Sequence, residues 1–497
     1  MLSVLVFLPL LVAVGLLWPG IGDRLARRTF VAVTAIEAAG VVALWTAYEN
    51  PGPGRLAFEE RVPWIPGVGS SYHVGLDGLS LPLVAMTTVV FLACAVFALA
   101  EDQRPRLQAA LFLFLETTCL GVFASADLIL FFVFFDLSIV GMYLSIHGWG
   151  HGDRARSALQ FFLYTFLGSL ALLLGFVGLY IASAPHTFDM VELASSPPLQ
   201  GSGTTAVLVL GAILLGLAIK TPTVPFHTWL PPAHTDAPAI GSAVLAGVLL
   251  KLGTYGFVRI AMPMLPEAFR AWAPWLIGVG IASVLWGALV ALAQTDLKRM
   301  VAYTSINHMG YVVLALGAAG LAADRGDQTE ARRTAVSGAV TQMVSHGLLT
   351  SALFLLAGVL WQRRESYAMS EYGGLAVPAP RFAALLSIAA LGSLGLPGLS
   401  GFVAELQVFA GSIATTPLAA VGLVGILLMT AVMLRAVQQL LTGPVGGLSD
   451  GFPDVRARES APVAGLLLLS VTVGVLPRPV LDLVEPAAAV VVSLVSR

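Results

Sequence analysis

The chain is poor in nearly every residue type that carries redox or soluble-domain chemistry. Cysteine occurs twice in 497 residues, at Cys94 and Cys119, each inside an apolar run and neither in a Cys-x-x-Cys. Thiolate ligation of an iron–sulfur cluster, which takes about four cysteines, is excluded. No Gly-x-Gly-x-x-Gly or phosphate-binding loop stands at a strand-to-helix junction, so nucleotide and flavin sites are not expected here. A net charge of −2, with no basic tail and no lysine-rich amphipathic stretch, offers nothing to nucleic acid. Only three lysines occur, Lys220, Lys251 and Lys298. The N-terminus lacks the positive segment of a secretory signal and runs apolar as far as Trp18, which reads as a retained first helix.

What is present is apolar. Hydrophobic residues make up 57% and charged residues 11%, the mean hydropathy is +0.88, and a soluble domain would carry charge on about a quarter of its residues. The expected fold is an all-α polytopic membrane protein. Apolar stretches of spanning length, roughly 20 residues each, give about fourteen transmembrane helices ending near Leu476. All of 1–497 forms one membrane domain, with 107–262 and 272–441 as two repeats and flanking helices in 2–100 and 461–476. The larger set of loop cations runs from Arg24, Arg27 and Arg28 through Lys298 and Arg299 to Arg456 and Arg458. The opposite set is Arg55, Arg61, Arg270, Arg325, Arg332, Arg333, Arg478 and Arg497. The positive-inside rule makes the first side cytoplasmic, and an even helix number then puts both termini outside. The Pro/Gly-rich stretch Asn50 to Gly75 and the loop Ala184 to Gly203 would be extracytoplasmic.

Against this background Lys220 and Lys251 sit deep in apolar runs, and Glu116, Asp136 and Glu405 lie at comparable depth. Each costs roughly 2.5–3.5 kcal/mol on insertion scales, so five cost about 12–18 kcal/mol. Such a sum points to an interior polar chain, and the first hypothesis is proton transfer within the membrane. Two spans are broken by their own residues. Lys220-Thr-Pro222-Thr-Val-Pro225-Phe-His227-Thr-Trp229-Leu-Pro231-Pro232 carries four prolines, which cannot continue a regular helix. Gly395-Leu-Pro397-Gly398-Leu-Ser-Gly401-Phe-Val-Ala-Glu405 does the same with glycine and proline. Irregular backbone at membrane depth belongs where it is buried in protein or lines a wet cavity. Broken helices in corresponding halves, the seventh and twelfth spans, point to inverted repeats with an ion site between them.

The two breaks, together with His234-Thr-Asp236-Ala-Pro, Gln-Thr-Asp296-Leu-Lys298-Arg-Met-Val-Ala-Tyr-Thr304-Ser-Ile-Asn-His308-Met-Gly and Leu76-Asp-Gly-Leu-Ser, resemble the antiporter-like proton-pumping subunits of respiratory complex I. The likeness covers nearly the whole chain. It is closest to the M branch, which carries an acid on the broken twelfth helix where the L and N branches carry a lysine.

The resemblance implies a hydrated path along the mid-membrane. Its fifth-helix acid falls at Asp136, one methylene shorter than the family's glutamate, with Lys220 as partner on the seventh helix. Closer helices or a bridging water would then join the two. Lys251 matches the eighth-helix relay, His308 and His346 the tenth- and eleventh-helix residues, Glu405 the exit-side acid and Glu116 the fourth-helix acid. The family further implies no cofactor in this chain, with NADH, FMN, Fe–S clusters and quinone in partner subunits. The expected partners are other membrane and peripheral complex I subunits, adjacent antiporter-like subunits among them, and lipids. A cation/proton antiporter subunit and a membrane-bound hydrogenase subunit are the rival readings, and Glu405 disfavours the antiporter. His227, His234 and Asp236 are expected to tie down the broken helix, Trp229 to anchor at the membrane interface, and Asp296 to cap the tenth helix. Glu37 has no assigned role. The preference for arginine, alanine and valine over lysine suggests a GC-rich bacterial source and hence a plasma (inner) membrane.

Overall fold

The computed structural model describes residues 1–100, 103–321 and 328–496; Arg325 and Arg497 of the charge count lie outside them. Two helices, α1 (Leu2–Leu16) and α2 (Asp23–Thr46), lead into a hairpin of β1 (Ala57–Ile65) and β2 (Ser70–Leu76). Then come α3 (Ser80–Phe97), α4 (Pro105–Ala124), α5 (Leu128–Trp149), α6 (Arg154–Ala182) and the short α7 (Met190–Ser195). The first broken span is α8 (Thr204–Lys220) with α9 (Leu230–Asp236). The next is one continuous span of α10 (Ala239–Val244), α11 (Leu250–Gly256) and α12 (Met262–Met264), joined by π-helical segments Leu245–Leu249 and Phe257–Ala261.

The second half holds α13 (Pro266–Ala293), α14 (Leu297–Gly320) and α15 (Thr329–Arg364), then the second broken span of α16 (Pro380–Ser393) and α17 (Ser400–Thr415). It closes with α18 (Leu423–Leu441), α19 (Ala457–Val475) and α20 (Arg478–Val495).

Among the described residues ten helices are long and apolar enough to cross a membrane, and α1, α8 and α16 are shorter apolar helices. With α9 and α17 completing the broken pairs, and the more polar α14, each of the fourteen expected segments has its helix. Local sequence sets the starts: Asp127 accepts from the amides of Ile129 at 2.9 Å and Leu130 at 3.1 Å, and Asp296 from Arg299 at 2.7 Å. These are the N-terminal donors a helix leaves open. The central element is α15, which packs against α3, α10, α14, α16, α17, α19 and α20.

Three features depart from expectation. The Pro/Gly-rich stretch forms a hairpin, because Pro66-Gly-Val-Gly69 turns the chain and Gly69 takes the left-handed φ of 64° that its neighbours would resist. A twentieth helix follows Leu476, its buried stripe Val480, Val484, Ala488, Val491 and Val495 recurring at helical spacing. It lies across one end of the bundle, from Leu483, whose carbonyl leaves no room for a Cβ on Gly78, to Ser496, which accepts from Arg332 at 3.1 Å. Arg332 is therefore buried rather than a loop charge. The amino group of Met1 pairs with Glu60 on β1 at 2.5 Å, so both termini sit at the hairpin end.

The hairpin is held by His73, buried, with Nδ1 2.6 Å from Asp189 and Nε2 2.8 Å from Glu59. Burial alone would lower its pKa, but the two carboxylates outweigh burial and raise it above the ordinary 6.5. A raised folded-state pKa gives stability that is complete below the unfolded value and lost as pH rises through the folded one. Amide-exchange protection of residues 70–76, corrected for intrinsic rates, should fall as pH rises above 6.5 in the parent, and His73→Gln should flatten that dependence. Equal pH dependence in both proteins would contradict the role of His73.

Candidate functional site

The first break leaves carbonyls without their helical amides. Thr221 N and Thr223 N still reach Leu217 O at 2.9 Å and Ala218 O at 3.1 Å, while Ile219 O is taken by the indole N–H of Trp229 at 3.0 Å. Trp229 is thus fully buried, its ring 5.3 Å from Phe161. This corrects its expected place at the interface: the broken helix needs a donor, and the indole supplies one. His227 accepts from Trp286 at 3.1 Å and Asp236 from Ser157 at 2.6 Å, in keeping with structural roles for both.

Lys220 ends α8. Its ammonium donates to Ser138 Oγ at 3.3 Å and lies 4.9 Å from the centre of the Phe135 ring. No ion pair joins it to Asp136, whose Oδ1 is buried without a hydrogen-bond partner. Helix geometry gives the reason. Residues 135 and 138 share a face of α5, whereas 136 is turned about 100° away, and aspartate is too short to swing its carboxylate round. In place of an ion pair, Lys220 has the Ser138 hydroxyl and the Phe135 ring. Glu116 on α4 is fully buried with neither oxygen bonded.

The second group is connected. A π-helical turn releases carbonyls by lengthening the repeat to i→i+5, and Lys251 donates to one of them, Ala246 O, five residues back. The same ammonium lies 2.6 Å from His346 Nδ1 on α15. The His346 and His308 rings meet edge to face at 5.3 Å. His308 Nε2 donates to Ser393 O at 3.2 Å, a carbonyl at the α16 break, and is 3.9 Å from Glu405 Oε1 on α17. His308 Nδ1 and His346 Nε2 have no partner. A cavity of about 10 Å³ touches His308, His346, Ser393 and Glu405, room for about one water. Ser400 fixes the start of α17 through hydroxyl contacts of 2.8 Å to Ser345 and 2.7 Å to Ser470.

The structure thus joins Lys251, His346, His308 and Glu405 into one row, and places Lys220, Asp136 and Glu116 on the neighbouring helices α8, α5 and α4 without direct bonds among them. Lys298 belongs with the buried cations rather than the loop charges. It is fully buried, donates to Thr235 O at 3.4 Å and to Ala237 O at the end of α9, and lies 5.1 Å from the Tyr367 ring centre. A cation at a helix C-terminus is favourable, and the scarcity of lysine was the available signal. His234 is also buried, stacked 4.5 Å from Phe354 with neither nitrogen bonded. Among the described residues no three His, Cys, Asp or Glu side chains are grouped as metal ligands.

Residues 125–430 match the family described as NADH:quinone oxidoreductase/Mrp antiporter, transmembrane. The chain is 36% identical over 471 residues to NADH-quinone oxidoreductase subunit M of Rickettsia bellii, covering 93% of this chain and 91% of that one. It superposes on a chain of respiratory complex I from Thermus thermophilus with bound NADH at a TM-score of 0.89 and 31% identity, covering all of both. A chain of the Mrp complex from a Dietzia species gives a TM-score of 0.85 at 22% identity, covering 100% of this chain and 99% of that one, a likeness of fold.

Glu405 has a seat that only glycine allows. Gly395 adopts φ 81°, and a Cβ there would stand 2.4 Å from Glu405 Oε2. Gly395→Ala should destabilise the protein by about 1–2 kcal/mol through the backbone alone, with a further cost from moving the carboxylate. In a Glu405→Ala background the second contribution should vanish, a coupling of about 0.5–3 kcal/mol in a double-mutant cycle read by thermal unfolding. Additive effects would show that Glu405 does not sit over Gly395.

Proposed function

The chain belongs to the NADH:quinone oxidoreductase/Mrp antiporter transmembrane family, and from that premise we propose that its buried lysines, histidines and acids carry protons through the membrane arm. It is a multi-pass, antiporter-like subunit of an NADH-quinone oxidoreductase, of the subunit M type, and its partners are the other subunits of that complex. NADH oxidation, flavin and Fe–S electron transfer and quinone reduction take place in those partners, and this chain does no redox chemistry.

The observation that carries the reading is the row Lys251, His346, His308 and Glu405. A protonated Lys251 can hand its proton to His346 Nδ1 along the 2.6 Å contact. The unpartnered His346 Nε2 and His308 Nδ1 are free to release and accept, and imidazole titrates near neutrality when unperturbed. Glu405, beside the cavity and 3.9 Å from His308, is the outlet. Lys220 is the switched carrier. Held only by a hydroxyl and a ring face, it responds to the charge on Asp136 without being locked by it. Repeats at 107–262 and 272–441 place one break in each half. The hairpin end with both termini faces outward, in a bacterial plasma membrane.

The complex with Lys220→Ala, reconstituted in proteoliposomes, should assemble and lose most of its proton translocation per quinone reduced. Parental translocation at parental assembly would contradict the carrier role.

A further inference from the structure

One buried acid, Glu37, has no role in the reading above. Glu37 lies mid-way along α2 with 1% of its surface exposed, and neither carboxyl oxygen has a hydrogen-bond partner. A glutamate kept only to anchor a neighbouring helix would accept from that helix. Glu37 accepts from none, yet an ionised group at such depth costs roughly 2.5–3.5 kcal/mol.

Packing shows what it faces. Helix α2 lies against α4, and both run from the arginine-rich end, where Arg27 reaches Leu99 O at 3.5 Å, toward the hairpin end, where Ser125 bridges Val74. Their register is fixed by Phe30 and Phe112, whose rings are 6.3 Å apart. Glu37 is seven residues past Phe30 and Glu116 four past Phe112, so at 1.5 Å per residue they stand about 10.5 and 6 Å further on, offset by about 4.5 Å. Both lie on the stripes that carry the ring contact, Phe30, Thr34 and Glu37 on α2 and Phe112 and Glu116 on α4. The two carboxyls act on each other electrostatically, and Cys119, one turn beyond Glu116, is a neighbour of both Glu116 and Lys220. Two negative charges in so apolar a seam would oppose each other, so a charge on one favours the proton on the other.

We propose that Glu37 is a second proton-carrying carboxyl on the side of the bundle that holds Glu116 and Lys220, exchanging one proton with Glu116 and extending the path to α2 on the flank of the bundle. In the transfer the O–H bond on one carboxyl breaks as that on the other forms, by side-chain rotation or through one water. The negative charge moves the opposite way and no electron is transferred. The inference rests on reading the buried row as a proton path, and concerns a residue that reading leaves unused.

The test uses the whole complex in proteoliposomes with Glu37→Gln, Glu37→Asp and Lys220→Ala, and records proton translocation and infrared difference spectra of protonated carboxyls between resting and turning-over enzyme. Glu37→Gln is expected to lose most translocation, to delete one protonated-carboxyl band and to move a second, that of Glu116. Glu37→Asp should keep partial translocation with the first band shifted, and it decides the matter if the Gln variant assembles poorly. Parental translocation and an unchanged spectrum in Glu37→Gln, while Lys220→Ala is impaired, would overturn this inference alone. Impaired translocation with no change in the carboxyl bands would mark Glu37 as structural and overturn it too. Parental translocation in Lys220→Ala would remove the underlying reading instead.

Discussion

At membrane depth a carbonyl that loses its helical amide finds no water, and leaving it bare costs several kcal/mol. Four such carbonyls stand, among the described residues, at the α8 break, the α16 break, the π-helical turn before Lys251 and the end of α9. Each is met by a side chain. Trp229 covers Ile219 O, His308 covers Ser393 O, Lys251 covers Ala246 O and Lys298 covers Ala237 O. Three of those four donors are titratable. The irregular backbone and the buried cations are therefore one arrangement: the carbonyls hold the charge-bearing groups at depth, and those groups make the irregularity tolerable.

A group held this way keeps some freedom. His308 uses Nε2 on its carbonyl and leaves Nδ1 open, while His346 uses Nδ1 on Lys251 and leaves Nε2 open. Each ring is oriented by one nitrogen and able to exchange a proton at the other. Lys220 is held less firmly still, by one hydroxyl at 3.3 Å and a ring face, because Asp136 points from a different side of α5. A locked ion pair there would bind the proton too well to let it go, since breaking a buried pair costs about 3–5 kcal/mol.

Much of this was legible in the residues because membrane depth makes polar groups conspicuous. Lys220, Lys251 and Glu405 stood out against apolar runs, the two breaks announced themselves through proline and glycine, and Asp296 capped its helix as its spacing suggested. What escaped depends on contacts between distant segments. Lys298 sits two residues after a cap and looks like a loop cation; the scarcity of lysine hints otherwise, and the end of α9 packed against it shows it. Trp229 looks like an interfacial aromatic until the carbonyl it serves is located. The face of α5 that meets Lys220 is set by packing, so the missing direct contact with Asp136 could not be read from spacing. α20 does not stand out in the sequence because its apolar residues form a stripe, not the run that marks a span.

His346 is the link on which the account stands or falls, since among the described residues it is the side chain that touches both Lys251 and His308. Glutamine there can keep a hydrogen bond to the lysine but cannot take up a proton. The decisive measurement is the number of protons translocated per quinone reduced by the reconstituted complex carrying His346→Gln, at parental assembly. The account predicts that translocation through this subunit is lost and the ratio falls. A ratio equal to that of the parent would contradict it.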